Sequence, residues 1–285
     1  MNQDEQRRVA EAALCPDADY IPKVPGAGSV RVDRTGNRVQ LMHNGLLVVA
    51  DGYYGPFVTQ IIEKLHGHHE PQEEKVFHEV LKTIPPGSTM IELGAYWAYY
   101  SMWFQKAVKE ARNFLIEPAK SSLQGGVKNF QLNGLHGDFT QAFVGRSSKP
   151  AWLQPGLRTE IDRNRQVCVK DFVQAKQIER VAILHSDIQG FELDMLRGCG
   201  DLLDQKTISF IFISSHGLKI HYQCRRHLVR KEYAIIAEHT PKESYSEDGL
   251  LVASAAPWTL PPIEISKRPT SARQKLKAAA LKRLI

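Results

Sequence analysis

Acidic side chains and one glycine in the middle of this chain are spaced as the ends of successive strands in a ligand-binding sheet would space them. "TMIELG" ends in Glu92-Leu93-Gly94 and "NFLIEP" in Glu117-Pro118; "RVAILHSDIQGFE" carries His185, Ser186, Asp187 and Glu192, and His216 closes "SFIFISSH". In an open α/β sheet, ligands sit beyond the carboxyl ends of the strands, where the strand order reverses. A glycine at such an end lets the backbone turn sharply and approach a ligand with no Cβ in the way. Glu117 stands 23 residues after Gly94, close to the separation of about 20 at which an acidic residue receives a ribose diol. Asp187 and His216 close neighbouring strands, where either reaches the proton of a bound hydroxyl.

Two nucleoside cofactors use strand ends of this kind, and the loop after Gly94 distinguishes them. A dinucleotide needs G-x-G-x-x-G, so that its pyrophosphate lies on the helix amino terminus. Here the loop reads Gly94-Ala95-Tyr96-Trp97-Ala98, and Tyr96 and Trp97 obstruct a pyrophosphate. S-adenosylmethionine (SAM) has none and tolerates a single close glycine, so it is the better fit. Its sulfonium methyl group is already activated. Transfer to a hydroxyl then needs mainly in-line alignment and removal of the hydroxyl proton. Asp187 ranks first for that proton, with Glu192 and His216 supporting it. His185 lies two residues before Asp187, on the same side of the pleat, within reach of a substrate.

The stretches "GYYGPFVTQIIEKLHGHHEPQEEKVFHEVL", "MIELGAYWAYYSMWF", "LIEP", "HSDIQGFELDMLRG" and "FISSHG" together resemble the FkbM-type SAM-dependent methyltransferases over about two thirds of the chain. "DIQGFELDMLRG" is the most specific piece. The resemblance implies a class I methyltransferase fold, a Rossmann-like α/β sheet of seven strands, mostly parallel with an antiparallel last strand. It implies O-methylation of a sugar or natural-product small molecule. It carries the cofactor site onto Glu92 and Gly94 with the loop after it, onto Glu117, and onto Asp138 and Phe139 near the adenine. Ala95, Tyr96, Trp97 and Ser101 after Gly94, Pro118 beside Glu117, and Ser186 beside Asp187 are assigned to the same site. Glu73, in a stretch similar to the family's, is assigned to face it. The chain departs from the family pattern at Ala98, where a second glycine is usual, and at Tyr96, where Asn is frequent. A cofactor pocket narrowed or lidded by aromatics follows.

These residues must be held by a framework that the pattern also outlines. Residues 1 to about 27, ending in "IPKVPGAGS", read as an irregular leader. "SVRVDR", "RVQLMH" and "LLVVADG", parted by Thr35-Gly36-Asn37 and His43-Asn44-Gly45, predict an antiparallel meander. Helices are expected over 56–66 and 71–84, the second opened by Glu70-Pro71. From residue 88, strands ("TMIELG", "NFLIEP", "DFTQAFVG", "RVAILHSD", "SFIFISSH") alternate with helices, which argues for a parallel sheet covered on both faces. "YAIIAEH" and "GLLVAS" are joined too closely for a helical crossover and predict an antiparallel hairpin. The division is an amino-terminal leader, meander and helical cap (1–84), a SAM-binding domain (85–258) and a basic tail (259–285). The cap and the loop at about 146–166 are expected to set acceptor specificity.

Composition narrows the remaining choices. Cys15, Cys168, Cys199 and Cys224 form no C-x-x-C pair, so reduced thiols and a cytoplasmic protein are expected, with Cys199 and Cys224 in the core. The amino terminus lacks the apolar run of a signal peptide, and no membrane span is expected. The net charge of +6 comes largely from "SKRPTSARQKLKAAALKRLI", which aligns Leu276, Ala280 and Leu284 on one helical face. Nucleic acid is a minor hypothesis, and the alternatives carried are an NAD-linked oxidoreductase and an RNA-binding or RNA-methylating protein using the tail. "HGHHE" at 66–70 reads as a solvated loop, or one touching the cofactor, rather than a metal site. Asp187 with Glu192 or Asp194 offers carboxylates to a divalent ion, but no metal is assigned. Acceptor identity and self-association stay open.

Overall fold

The computed structural model describes residues 1–153, 156, 159–255 and 261–270. Its first element departs from the irregular leader expected. α1 (Gln3–Ala12) is opened by a capping box: Asn2 Oδ1 accepts from Glu5 N (2.9 Å) while the Glu5 carboxylate accepts from Asn2 N (2.8 Å). The Asn2-Gln3-Asp4-Glu5 run is itself a sequence signal for a helix start.

β1 (Val30–Val32), β2 (Arg38–Leu41) and β3 (Leu47–Val49) form the expected antiparallel meander. α2 (Pro56–Lys64) and α3 (Pro71–Leu81) each begin with proline, whose fixed φ and missing N–H suit the first helical position.

The central sheet has the order β11-β12-β10-β9-β4-β5-β6. Its strands are β4 (Thr89–Leu93), β5 (Arg112–Ile116), β6 (Asp138–Thr140), β9 (Val181–Ser186), β10 (Ile208–Ser215), β11 (Ala234–His239) and β12 (Gly249–Ser254). Neighbours from β6 to β10 run parallel, and β12 is antiparallel to both β10 and β11. The expected hairpin is therefore present, and β12 enters the sheet between β10 and β11. "DFTQAFVG" is not one strand: after β6 the chain leaves the sheet, and β7 (Phe143–Val144) pairs only with β8 (Gln166–Val167).

Helices cover both faces. Met90, Leu115, Ile183 and Phe212 pack against the side formed by α1 to α3, α4 (Tyr99–Ala107) and α5 (Lys120–Leu132). The alternate residues Ile91, Ile116, Leu184 and Ile213 pack against α6 (Val169–Ala175), α7 (Glu192–Gly198) and α8 (Leu218–Arg230). Burial on both faces explains why these strands read as continuous apolar runs. This architecture is the class I methyltransferase fold.

Strand order places the site. From β4 the chain steps outward to β5 and β6, then returns to the other side of β4 for β9 and β10, so the order reverses between β4 and β9. At that point Asp187 N donates to Leu93 O (2.9 Å) and Gly94 N to Ile116 O (2.8 Å). Gly94 has φ +72°, and a Cβ on it would lie 1.8 Å from Asp187 O. Backbone strain and collision coincide here. Gly94→Ala is expected to cost more than about 2 kcal/mol and to lower Tm by at least about 4 °C. A variant melting with the wild type in a calorimetric scan would contradict this close approach.

Candidate active site

Two adjoining cavities open at this switch point. The first, of about 210 Å³, is lined by Glu92, Gly94, Tyr96, Trp97, Glu117 and His185 among others. The second, of about 240 Å³, is lined by Arg8, Phe57, Ile61, His216, Glu247 and Asp248 among others. Tyr53, Tyr54, His69, Glu70, Asp187 and Gln189 border both. Asp187 thus stands at the boundary, where a group held in one chamber meets a group held in the other.

In the first chamber, carboxylates are anchored by backbone. Glu117 accepts from Tyr96 N (3.2 Å) and Ala119 N (2.8 Å). Burial raises its pKa, against these hydrogen bonds. Glu92 accepts from Ser101 N (3.0 Å), in the first turn of α4, and burial raises its pKa too. Behind them His185 Nε2 lies 2.7 Å from Glu73 Oε1, and Ser214 Oγ donates to Glu73 Oε2 (3.0 Å). The lining loop is strained: Tyr96 and Ala98 have φ +39° and +64°, a region that costs a residue with a Cβ about 1–2 kcal/mol. Ala98 thus holds the backbone shape for which glycine is the usual choice.

Aromatics roof this chamber. Tyr53 stacks on Trp97 with centroids 4.4 Å apart and planes 7° off parallel, and Tyr54, at φ +49°, packs edge-on to Tyr96. A cavity of about 210 Å³ falls below the usual range for small-molecule sites, which starts at about 300 Å³. A nucleoside-bearing ligand therefore requires the Tyr53-Tyr54 segment to shift.

Polar groups converge in the second chamber. His216 Nδ1 lies 2.6 Å from Glu192 Oε1, and its Nε2 is 3.4 Å from Asp187 Oδ1 and 3.3 Å from Asp248 Oδ1. Burial pushes Asp187 up to about 8, against the pull of His216. For His216, burial opposes the charge, but Glu192, Asp248 and Asp187 outweigh it and raise its pKa to about 9. Burial likewise lifts Asp248 to about 6. Glu70 accepts from Tyr100 OH (3.1 Å) and pairs with His69 Nε2 (3.1 Å).

The structure gathers most of the residues expected from sequence. Glu92, Gly94, Ala95, Tyr96, Trp97, Glu117, His185 and Asp187 line the first chamber, and His216 the second. Glu73, expected to face the cofactor, stands behind His185 and Ser214. Glu192 is fully buried and acts by holding His216. Ser101 contributes its backbone N–H to Glu92, Ser186 is buried, and Pro118 O accepts from Gln141 Nε2 (3.1 Å).

Other expectations need correction. Asp138 does not reach the chamber: it pairs with Lys176 Nζ (2.6 Å) near the amino ends of the strands. Phe139 packs edge-on to Phe130 of α5. Of the two readings of the 66–70 stretch, the solvated loop fails, because His68 and His69 are buried on Glu74, whereas His69 and Glu70 line the first chamber. Of the two helix carboxylates weighed beside Asp187, half-buried Asp194 pairs with Arg197 (3.2 Å) and Glu192 turns inward onto His216. Described residues of 146–166 line neither chamber; Trp152 packs on Phe172 in the core. The tail helix through Leu276, Ala280 and Leu284 lies outside the described residues. Among the described residues, no helix is long and apolar enough to cross a membrane.

Sequence reasoning missed Arg8, Tyr53, Tyr54, Tyr100, Glu247 and Asp248. Asp248 carried a signal only as half of the Asp248-Gly249 turn, and Tyr53-Tyr54 only as part of "GYYGPF".

Comparison with known proteins gives one family match: the Methyltransferase FkbM domain, over residues 79–239. No curated protein matches the sequence. Solved structures similar to this chain include M. capricolum TrmK in complex with S-adenosyl-homocysteine, at 16% identity, 69% of this chain, 71% of that chain and TM-score 0.42. A ribosomal protein L11 methylase from Lactobacillus delbrueckii subsp. bulgaricus is 11% identical over 73% of this chain and 93% of that one, with TM-score 0.44. A precorrin-6y C5,15-methyltransferase from Geobacter metallireducens is 14% identical over 63% and 87%, with TM-score 0.41.

Proposed function

Since this chain belongs to the FkbM methyltransferase family, by a match over residues 79–239, we propose that it moves the methyl group of SAM to a hydroxyl oxygen of a small molecule such as a sugar or natural product. The observation that carries this reading is the position of Asp187 on the wall shared by the two chambers. Once the Tyr53-Tyr54 segment gives way, the first chamber would take a SAM nucleoside: Glu117 presents a carboxylate at the end of β5, and Gly94 lets the loop after β4 pass close against Asp187. SAM supplies the activated methyl group.

The protein's residues do the rest. Glu117, held by its backbone partners, would accept the ribose hydroxyls with its remaining lone pairs, and Glu92 with the Gly94 loop would hold the methionine portion. Asp187 would take the acceptor proton, and Glu192 would hold His216 beside it. Arg8, Phe57 and Ile61 of α1 and α2 line the second chamber, where the acceptor would rest, which supports the amino-terminal cap as the source of specificity. Trp97, uncovered when Tyr53 shifts, would remain as an apolar wall of the chamber.

Incubating the enzyme with a metabolite extract and methyl-labelled SAM, followed by mass spectrometry, tests the reading. Label on a small-molecule hydroxyl is expected; label recovered only in RNA or protein would overturn it. Displacement of Tyr53 by ligand adds a second expectation. Saturation with S-adenosylhomocysteine should change tryptophan emission, and Trp97→Phe should remove most of that change. Unchanged emission at saturation by calorimetry would rule out movement of the aromatic roof.

A further inference from the structure

We propose that Asp187, His216 and Asp248 bind a divalent transition-metal ion, and that this ion holds the acceptor hydroxyl facing the methyl donor. Its catalytic role rests on the methyltransferase reading above; the binding itself does not. His216 Nε2 and one carboxylate oxygen from each aspartate lie within 4.8 Å of one another. The nitrogen is 3.4 Å from Asp187 Oδ1 and 3.3 Å from Asp248 Oδ1. Ligand atoms about 2.1 Å from a metal, at octahedral to tetrahedral angles, stand about 3.0–3.4 Å apart.

The hydrogen bonding points the same way. His216 Nε2 is shielded from solvent, yet it makes no hydrogen bond even though two carboxylate oxygens approach it. The three atoms lie within 4.8 Å of one another, and none of the contacts at Nε2 is a hydrogen bond. On the far side of the ring, the fully buried Glu192 takes the Nδ1 proton (2.6 Å). When an ion displaces the Nε2 proton, that bond would keep the remaining proton on Nδ1 and leave the Nε2 lone pair facing the aspartates, as carboxylates behind metal-bound histidines do. Glu192 is itself held by Gly190 N (3.0 Å).

Charge and position complete the case. Glu70, Asp187, Glu247 and Asp248 line the second chamber. Arg8 is the sole Lys or Arg lining it among the described residues, and Glu247 occupies it at 3.1 Å. Such a chamber favours a cation. One imidazole with two carboxylates suits Mn²⁺, Fe²⁺, Co²⁺ or Zn²⁺ better than Ca²⁺, and three protein ligands leave coordination positions open. The second histidine-carboxylate cluster, His43, His68 and Glu74, differs. It is buried in the core, and none of its residues lines either chamber, so an ion there would meet neither the donor nor the acceptor.

The chemistry balances without a further reactant. A hydroxyl on the ion has a lowered pKa, and its proton passes to the uncoordinated oxygen of Asp187. The oxygen then bonds to the methyl carbon while the carbon–sulfur pair returns to sulfur. The products are a methyl ether, a thioether and one proton.

The test begins with metal-stripped enzyme and Mn²⁺ in the absence of SAM, followed by electron paramagnetic resonance and calorimetry. One ion per chain is expected, displaced by Zn²⁺, with affinity reduced at least about 100-fold in Asp248→Asn and His216→Gln, more than the about 10- to 100-fold typical when only a ligand's supporting residue is lost. Unchanged S-adenosylhomocysteine affinity in both variants would show that they fold with an intact first chamber. No Mn²⁺ or Zn²⁺ binding by the wild type, or binding equal in wild type and variants, would overturn the site. Chelation should abolish methyl transfer and Mn²⁺ should restore it; transfer unaffected by chelation would overturn the catalytic role. Metal binding by an enzyme that transfers no methyl group to any hydroxyl would sink the functional reading and leave the site standing.

Discussion

Glu117→Ala is expected to weaken S-adenosylhomocysteine binding by at least about 100-fold. A ribose diol presents two O–H donors, and a hydrogen bond to a charged acceptor is worth about 1.5–3 kcal/mol. Two such bonds correspond to about 10²- to 10⁴-fold in affinity. The side chain also anchors the cofactor loop through Tyr96 N and the start of α5 through Ala119 N, so alanine removes ligand contacts and preorganisation together. Glu117→Gln separates the two, since it keeps an acceptor oxygen but loses the charge, and an intermediate loss is expected. Calorimetric affinity within threefold of wild type for the alanine variant would exclude Glu117 from the nucleoside site. Mn²⁺ binding should survive in this variant, because Glu117 lies in the first chamber and the proposed ion borders the second.

Asp187→Asn should give the opposite pattern. The cofactor still binds, with affinity within about threefold, while turnover falls by about 10²- to 10⁴-fold, the usual contribution of a positioned proton acceptor. Asparagine keeps the volume at the crowded β4–β9 junction, and the Asp187 backbone contacts to Leu93 and Gly94 are untouched. Folding should therefore be preserved. Single-turnover measurement with bound SAM separates chemistry from binding. A variant with wild-type turnover would remove Asp187 from the reaction and move attention to Glu70, the other carboxylate bordering both chambers. The two substitutions differ in kind: one empties the cofactor chamber, the other leaves it filled and inert.

Much of the arrangement could be read from residue order because it is locally encoded. Apolar runs such as "TMIELG" and "SFIFISSH" identify strands buried on both faces, and the short link before "GLLVAS" excludes a crossover. Strand ends identify Gly94, Glu117, Asp187 and His216, since the carboxyl end of a parallel strand is where a doubly wound sheet binds ligands. Asp138 shows the limit of that rule. It sits on a strand of the same sheet, but at the wrong height, opposite Phe114 in the middle of β5. Which end of a short strand a residue occupies depends on register, and register is set by pairing with a neighbour distant in sequence.

The amino-acid sequence by itself determined most element types, the two-sided parallel sheet with its antiparallel hairpin, and the glycine turn after β4, because periodicity and turn chemistry act over a few residues. Only the tertiary structure decided what closes around them. Arg8 comes from α1, Tyr53 and Tyr54 from the turn after β3, and Asp248 from the link between β11 and β12. The same packing turned Glu192 inward onto His216, where its helix spacing from Asp194 had left a choice. Side chains this far apart in the chain meet only because the helices and the hairpin pack on a common sheet, and no local pattern records that convergence.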